Sequence, residues 1–66
     1  MHVVLNGARR EVADGTGLVQ LIEQLGFRPG SVVVEHNGEA LVRSELAAVT
    51  LADGDRLELV RAVAGG

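Results

Sequence analysis

Apolar and polar residues follow two rhythms along this chain, and each change of rhythm marks an element. His2-Val3-Val4-Leu5 alternates and reads as a short strand, with Val3 and Leu5 on one face. Asn6-Gly7 follows, and both residues tolerate the positive φ of a type I′ hairpin turn. Residues 8–12 return as a second strand, polar enough to border solvent, and Asp14-Gly15 ends it. The period then changes. Leu18, Leu21, Ile22 and Leu25 fall at i, i+3, i+4 and i+7, one apolar stripe of an amphipathic helix, with Gln20, Glu23 and Gln24 on the other side. Thr16 is the expected N-cap. Gly26 stands where a left-handed C′ residue belongs, Phe27 is placed to fold back on the last turn, and Pro29 bars a restart.

The two-residue period returns in residues 31–36, the most β-branched run and the best interior strand. With Glu35 and Val33 turned to solvent, Val32, Val34 and His36 face the core. Asn37-Gly38 makes a second turn, and residues 40–42 form a short strand or extended piece. Residues 44–49 read as a helical turn with Leu46 and Val49 inward. Asp53-Gly54 turns into a last strand, with Leu57 and Leu59 on one face and Arg56 and Glu58 on the other. One helix cannot bury its stripe alone, so it must lie across a mixed sheet of four to five strands, a two-layer α+β domain. The order and short loops suit a β-grasp arrangement, in which the last strand runs in the middle of the sheet, parallel to the first. Residues 1–61 are the expected domain and residues 62–66 a thin arm.

Composition narrows the function. The chain has 66 residues and no cysteine, so neither disulfides nor thiol chemistry is at its disposal. A net charge of −3 and a single aromatic residue, Phe27, argue against nucleic acid. No apolar run approaches the length of a membrane span, and no basic segment followed by an apolar one opens the chain, so a cytoplasmic protein is expected.

The chain closes on Ala62-Val63-Ala64-Gly65-Gly66. One reading is a frayed end. The other makes the terminus the reagent. A carboxylate on glycine has no Cβ beside it and threads a narrow site that a larger residue would block. Six residues past Val60 reach roughly 20 Å when extended, enough to enter another protein while the body stays outside.

Asn6-Gly7, the Leu18/Leu21/Ile22/Leu25-Gly26 stripe, Glu35-His36-Asn37-Gly38-Glu39, Arg43-Ser44-Glu45 and above all Asp53-Gly54-Asp55 through Ala64-Gly65-Gly66 resemble the bacterial sulfur carriers of thiamine biosynthesis, the ThiS family, over the whole chain. Val42, Leu46 and His36 depart from that pattern, which often has Pro, a nearby Trp and an aliphatic residue there. The resemblance implies a ubiquitin-like β-grasp fold and a protein co-substrate rather than an enzyme. A ubiquitin-activating-type adenylyltransferase, using its own ATP and Mg²⁺, would adenylate Gly66. Sulfur from a persulfide donor enzyme or from sulfide would then give a thiocarboxylate, which thiazole synthase would consume. Gly65, Ala64, Val63 and Ala62 would be the arm. The small subunit of molybdopterin synthase, a ubiquitin-like protein modifier, and a plain β-grasp interaction module are the alternatives.

The remaining constellations have bland readings. His2 and His36 lack carboxylates or thiolates at ligand spacing. Gly15-Thr16-Gly17 lacks the Gly-Lys-Ser/Thr of a phosphate loop and reads as turn plus cap. Arg9, Arg10, Arg56 and Arg61 read first as solvated. Arg61 sits at the root of the arm, where it is a candidate for steering a partner. Val4, Val33 and Val60 on the face away from the helix are candidates for partner docking if they cluster.

Overall fold

The last strand holds the middle of the sheet. The computed structural model describes residues 1–62, which form strands β1 (His2–Leu5), β2 (Ala8–Glu11), β3 (Val32–His36), β4 (Glu39–Leu41) and β5 (Arg56–Arg61). Their order across the sheet is β2-β1-β5-β3-β4. β1 and β5 are parallel, and every other neighbouring pair is antiparallel. This is the β-grasp arrangement expected from the sequence.

Both Asn-Gly pairs have positive φ at each residue, Asn6 at 49° with Gly7 at 83° and Asn37 at 51° with Gly38 at 85°, as type I′ turns require. The polar second strand is an edge strand, exposed along its whole length. Helix α1 (Leu18–Gln24) buries Leu18, Leu21 and Ile22 in one core with Val3, Val34, Leu57 and Leu59 of the sheet and Leu46 and Leu51 of the connecting chain. Leu25 and Phe27 pack against that core from its border. Gly26, at φ 88°, ends the helix as a Schellman motif. Its N–H donates to the Glu23 carbonyl at 3.0 Å, and the Phe27 N–H donates to the Ile22 carbonyl at 3.1 Å.

Four details differ from the sequence reading. Thr16 is not the N-cap. Gly17 is, and the first free helical amide, Leu18 N–H, donates to the Val49 carbonyl at 3.0 Å. Thr16 is buried, with its hydroxyl donating to the Ala13 carbonyl at 2.6 Å and its own carbonyl accepting from Leu51 N–H at 2.9 Å. A distant strand-like segment thus satisfies the helix end that a hydroxyl was expected to satisfy. Pro29 bars an α-helix yet opens a 3₁₀ turn over Pro29–Ser31, because its missing N–H is not needed in a first turn. β4 sits one residue earlier than expected. Helix α2 (Arg43–Leu46) is shorter than the predicted turn, though Leu46 is buried and Val49 packs on the core as predicted.

Candidate functional site

β5 lies in the middle of the sheet between β1 and β3, and it is the last strand of the described residues. Two asparagines, already committed to turns, fasten it. Asn6 continues the work of β1 with its side chain. Its Oδ1 accepts from Leu59 N–H at 2.9 Å, and its Nδ2 donates to the Leu59 carbonyl at 3.2 Å. Asn37 does the same for the start of the strand. Its Oδ1 accepts from Arg56 N–H at 2.8 Å, its backbone N–H donates to the Arg56 carbonyl at 2.8 Å, and its Nδ2 donates to Asp55 Oδ1 at 3.1 Å.

Asp55 is buried and has three donors. Ala52 N–H and His36 Nε2 each lie 2.9 Å from Oδ2, and Asn37 binds Oδ1. An ionised carboxylate only accepts, so His36 donates through Nε2–H. Burial raises the Asp55 pKa, but the bonds from Ala52, His36 and Asn37 outweigh it and hold the carboxyl below the ordinary 3.8. His36 lies opposite Leu57 and so on the core side, as expected, and this pairing occupies the position where the family pattern often has an aliphatic residue. Asp53, at the neighbouring turn, accepts from His2 N–H at 2.9 Å, which lowers its pKa too. The two histidines are thus held by two separate aspartates, and among the described residues no three metal-ligating side chains converge.

The expected docking residues do not form one patch. Val33 and Val60 are direct partners across β3 and β5, 52% and 62% exposed on the face away from α1. Val4 is half-buried and pairs with Arg56, four residues down β5 and so about 13 Å from Val60. It lines a depression of about 210 Å³ with Gly7, Glu35, Gly38, Arg56 and Glu58, whose charged rim separates it from the exposed valines. The sequence reading missed Val42, which is 61% exposed. Continuing the register Val34 to Leu41 by one residue sets Val42 opposite Val33. The apolar feature is therefore a row, Val42-Val33-Val60, across the sheet at the Arg61 end of β5. Alternating exposure along β3 and β5 was readable in advance, but Val42 joins them only through the pairing register of β4 with β3, which the sequence does not display.

Arg61 lies on the other side of the same strand end. It shares parity with Leu57 and Leu59, and its guanidinium carbon sits over the Phe27 ring, 5.3 Å from the centroid. Ala62, expected as the first residue of the arm, still has its N–H bonded to the Ser31 carbonyl at 2.8 Å. Val63, Ala64, Gly65 and Gly66 lie outside the described residues.

Against known proteins, a model of the ThiS family matches residues 3–66. The crystal structure of the thiamine biosynthesis protein (ThiS) from Geobacter metallireducens is similar over the whole of both chains, with a TM-score of 0.84 and 33% identity. The solution NMR structure of a thiamine biosynthesis protein from the same organism is similar over this whole chain and 88% of its own, with a TM-score of 0.81 and 33% identity. Two curated proteins named thiazole synthase, from Magnetococcus marinus and Paramagnetospirillum magneticum, are 38% and 36% identical over 66 residues. This chain spans only a fifth of the length of those relatives. Family match, whole-chain structural likeness and the β2-β1-β5-β3-β4 sheet agree: the chain belongs to the ThiS family.

Proposed function

We propose that this chain is a sulfur carrier of thiamine biosynthesis, a protein co-substrate whose reactive group is the carboxylate of Gly66. The observation that carries the proposal is the pairing of a firmly held central strand with a Gly-Gly sequence that ends five residues beyond it. β5 fixes where the chain departs, and residues 62–66 contain nothing larger than valine.

A terminal carboxyl has a pKa of about 3.5, so near neutral pH it is an anion and a poor electrophile. A ubiquitin-activating-type adenylyltransferase with ATP and Mg²⁺ removes that obstacle. A carboxylate oxygen of Gly66 attacks the α-phosphorus, pyrophosphate leaves, and the acyl carbon acquires AMP as a leaving group. Sulfide attacking that carbon expels AMP and leaves the thiocarboxylate directly. A persulfide gives an acyl disulfide instead, which a second thiol cleaves to the thiocarboxylate and a disulfide. The chain has no cysteine, so every thiol in this sequence belongs to another protein. The proposed recipient is a thiazole synthase, in keeping with relatives of that name that contain a stretch similar to this chain. The Val42-Val33-Val60 row is the proposed docking face for that synthase, with Val4 left outside it.

The test is the intact mass of the purified chain after incubation with its host adenylyltransferase, ATP, Mg²⁺ and sulfide, followed by fragmentation of the C-terminal peptide. One oxygen-to-sulfur exchange on Gly66 is the expected result. An adduct on a lysine points to a protein modifier, and a carboxylate unchanged under these conditions rejects the carrier role.

A further inference from the structure

Past Leu59 the last strand loses both burial and one neighbour. Its pairing with β1 stops at Leu57, Asn6 reaches as far as Leu59, and Val60, Arg61 and Ala62 are exposed. From there, among the described residues, β3 alone continues the sheet, pairing Val33 with Val60 and Val32 with Arg61. The connection between α1 and β3 takes over at this point and touches the strand end twice. The Arg61 guanidinium lies over the Phe27 ring, 5.3 Å from its centroid, and the Ser31 carbonyl accepts from Ala62 N–H at 2.8 Å. Both holds are themselves fixed. Phe27 N–H is tied to the Ile22 carbonyl in the helix cap, and its side chain packs on the border of the core. Ser31 is tied to the Arg28 carbonyl through its N–H at 2.9 Å and its Oγ at 2.8 Å. The sole aromatic side chain of the molecule thus stands where the other supports of the strand end.

Resting on the carrier reading above, we infer that Phe27 is a positioning residue for the adenylation of Gly66. It touches Arg61 and, through Arg61, keeps Ala62 on Ser31, so that residues 61 and 62 hold one conformation before an adenylyltransferase takes the carboxylate. Ordering backbone opposes binding, and residues ordered in advance remove that cost. Arg61 shares the helix side of the sheet with Leu57 and Leu59, so this hold acts on the face opposite the valine row and is independent of it. The chemical step takes place at Gly66, four residues beyond Ala62 in sequence, and Phe27 has no part in it. Its effect therefore falls on KM and leaves kcat alone.

Two readouts on the full chain separate the hold from its role. Amide exchange at Ala62, followed by NMR, reads the hold with no partner present. Phe27→Leu keeps an apolar side chain at the core border and removes the ring, whereas Arg61→Met keeps the stem and removes the cation. Each should speed Ala62 exchange about two- to fivefold, the strength of a partly exposed cation–π contact. The double variant should add nothing to either single one, because the same contact is lost in all three. Phe27→Tyr keeps an aromatic face and should match wild type. Leu59 N–H, bonded to Asn6, is the internal control, and an equal increase there assigns the effect to the whole fold and rejects the hold. ATP–pyrophosphate exchange by the host adenylyltransferase reads the role. Phe27→Leu should raise KM for the chain by the same factor at unchanged kcat, although Arg61 keeps its charge. If Arg61→Met raises KM and Phe27→Leu does not, Arg61 touches the enzyme itself and the positioning role is rejected. Unchanged Ala62 exchange in Phe27→Leu rejects the hold and the role together, and faster exchange with unchanged KM rejects the role alone. Absence of wild-type adenylation rejects the carrier reading and the role with it, while the exchange rates still decide the hold.

Discussion

Asn6 combines two requirements that are separable by mutation. Its backbone occupies the left-handed region at φ 49°, and its amide makes two hydrogen bonds to Leu59. Glycine satisfies the first requirement and not the second. Asn6→Gly should therefore keep the turn and leave Leu59 N–H and C=O unpaired beside the strand. The expected loss is about 1–3 kcal/mol, read from the urea midpoint. A variant as stable as wild type would assign Asn6 to the turn alone. Asp55 supports a prediction in pH. Its pKa is lower in the fold than its ordinary 3.8, so its stabilisation is fully present above that value and is lost as pH falls through the lowered value. Asp53 is lowered as well, so wild type carries both contributions on acidification. Asp55→Asn should be less stable at neutral pH, and the gap to wild type should narrow toward about pH 3, as urea unfolding at both pH values would reveal. Both asparagine turns were legible because a turn is a property of adjacent residues. The clamps were not, since Asn6 meets Leu59 from 53 residues away and His36 meets Asp55 from 19, distances that only the topology closes.

At the scale of elements, α1 illustrates which end of a helix local sequence controls. The C-terminus is self-contained: Gly26, Phe27 and the last turn complete the Schellman bonds among themselves. It was readable for that reason. The N-terminus is not, because Val49 supplies the acceptor for Leu18 and Thr16 is occupied with Ala13 and Leu51. Gly26→Ala tests the self-contained end. A Cβ there meets nothing within 4 Å, so the whole effect is the left-handed backbone at φ 88°. Thermal unfolding should register a loss of about 1–2 kcal/mol. A neutral result would mean that the end relaxes into another cap. The strands were legible in type and order because their alternation matches a sheet with one buried face. β4 was misplaced by one residue because three residues contain too little alternation to fix a register.

For the whole molecule, stability and the proposed reaction occupy separate parts of the chain. The described core runs from Val3 to Leu59, and the proposed docking row lies on the other face of the sheet, at the Arg61 end of β5. Removing Gly65 and Gly66 should therefore leave the melting temperature unchanged while abolishing thiocarboxylate formation. A lowered melting temperature would place structural contacts in the terminus instead. Val60→Glu probes the other separation. Val60 is 62% exposed, so an exposed charge there should shift stability by no more than about 0.5 kcal/mol. On the reading that thiazole synthase covers the valine row, the same change buries an unpaired carboxylate in the complex and should weaken association on the order of tenfold or more. Val4→Glu, in the charged depression about 13 Å away, should leave that association alone. Titrating each thiocarboxylated variant against host thiazole synthase separates the outcomes. Loss of binding in Val60→Glu alone places the synthase on the row. Equal loss in both variants extends the contact across the sheet to the depression. Unchanged binding in Val60→Glu rejects the row as the face that the synthase covers.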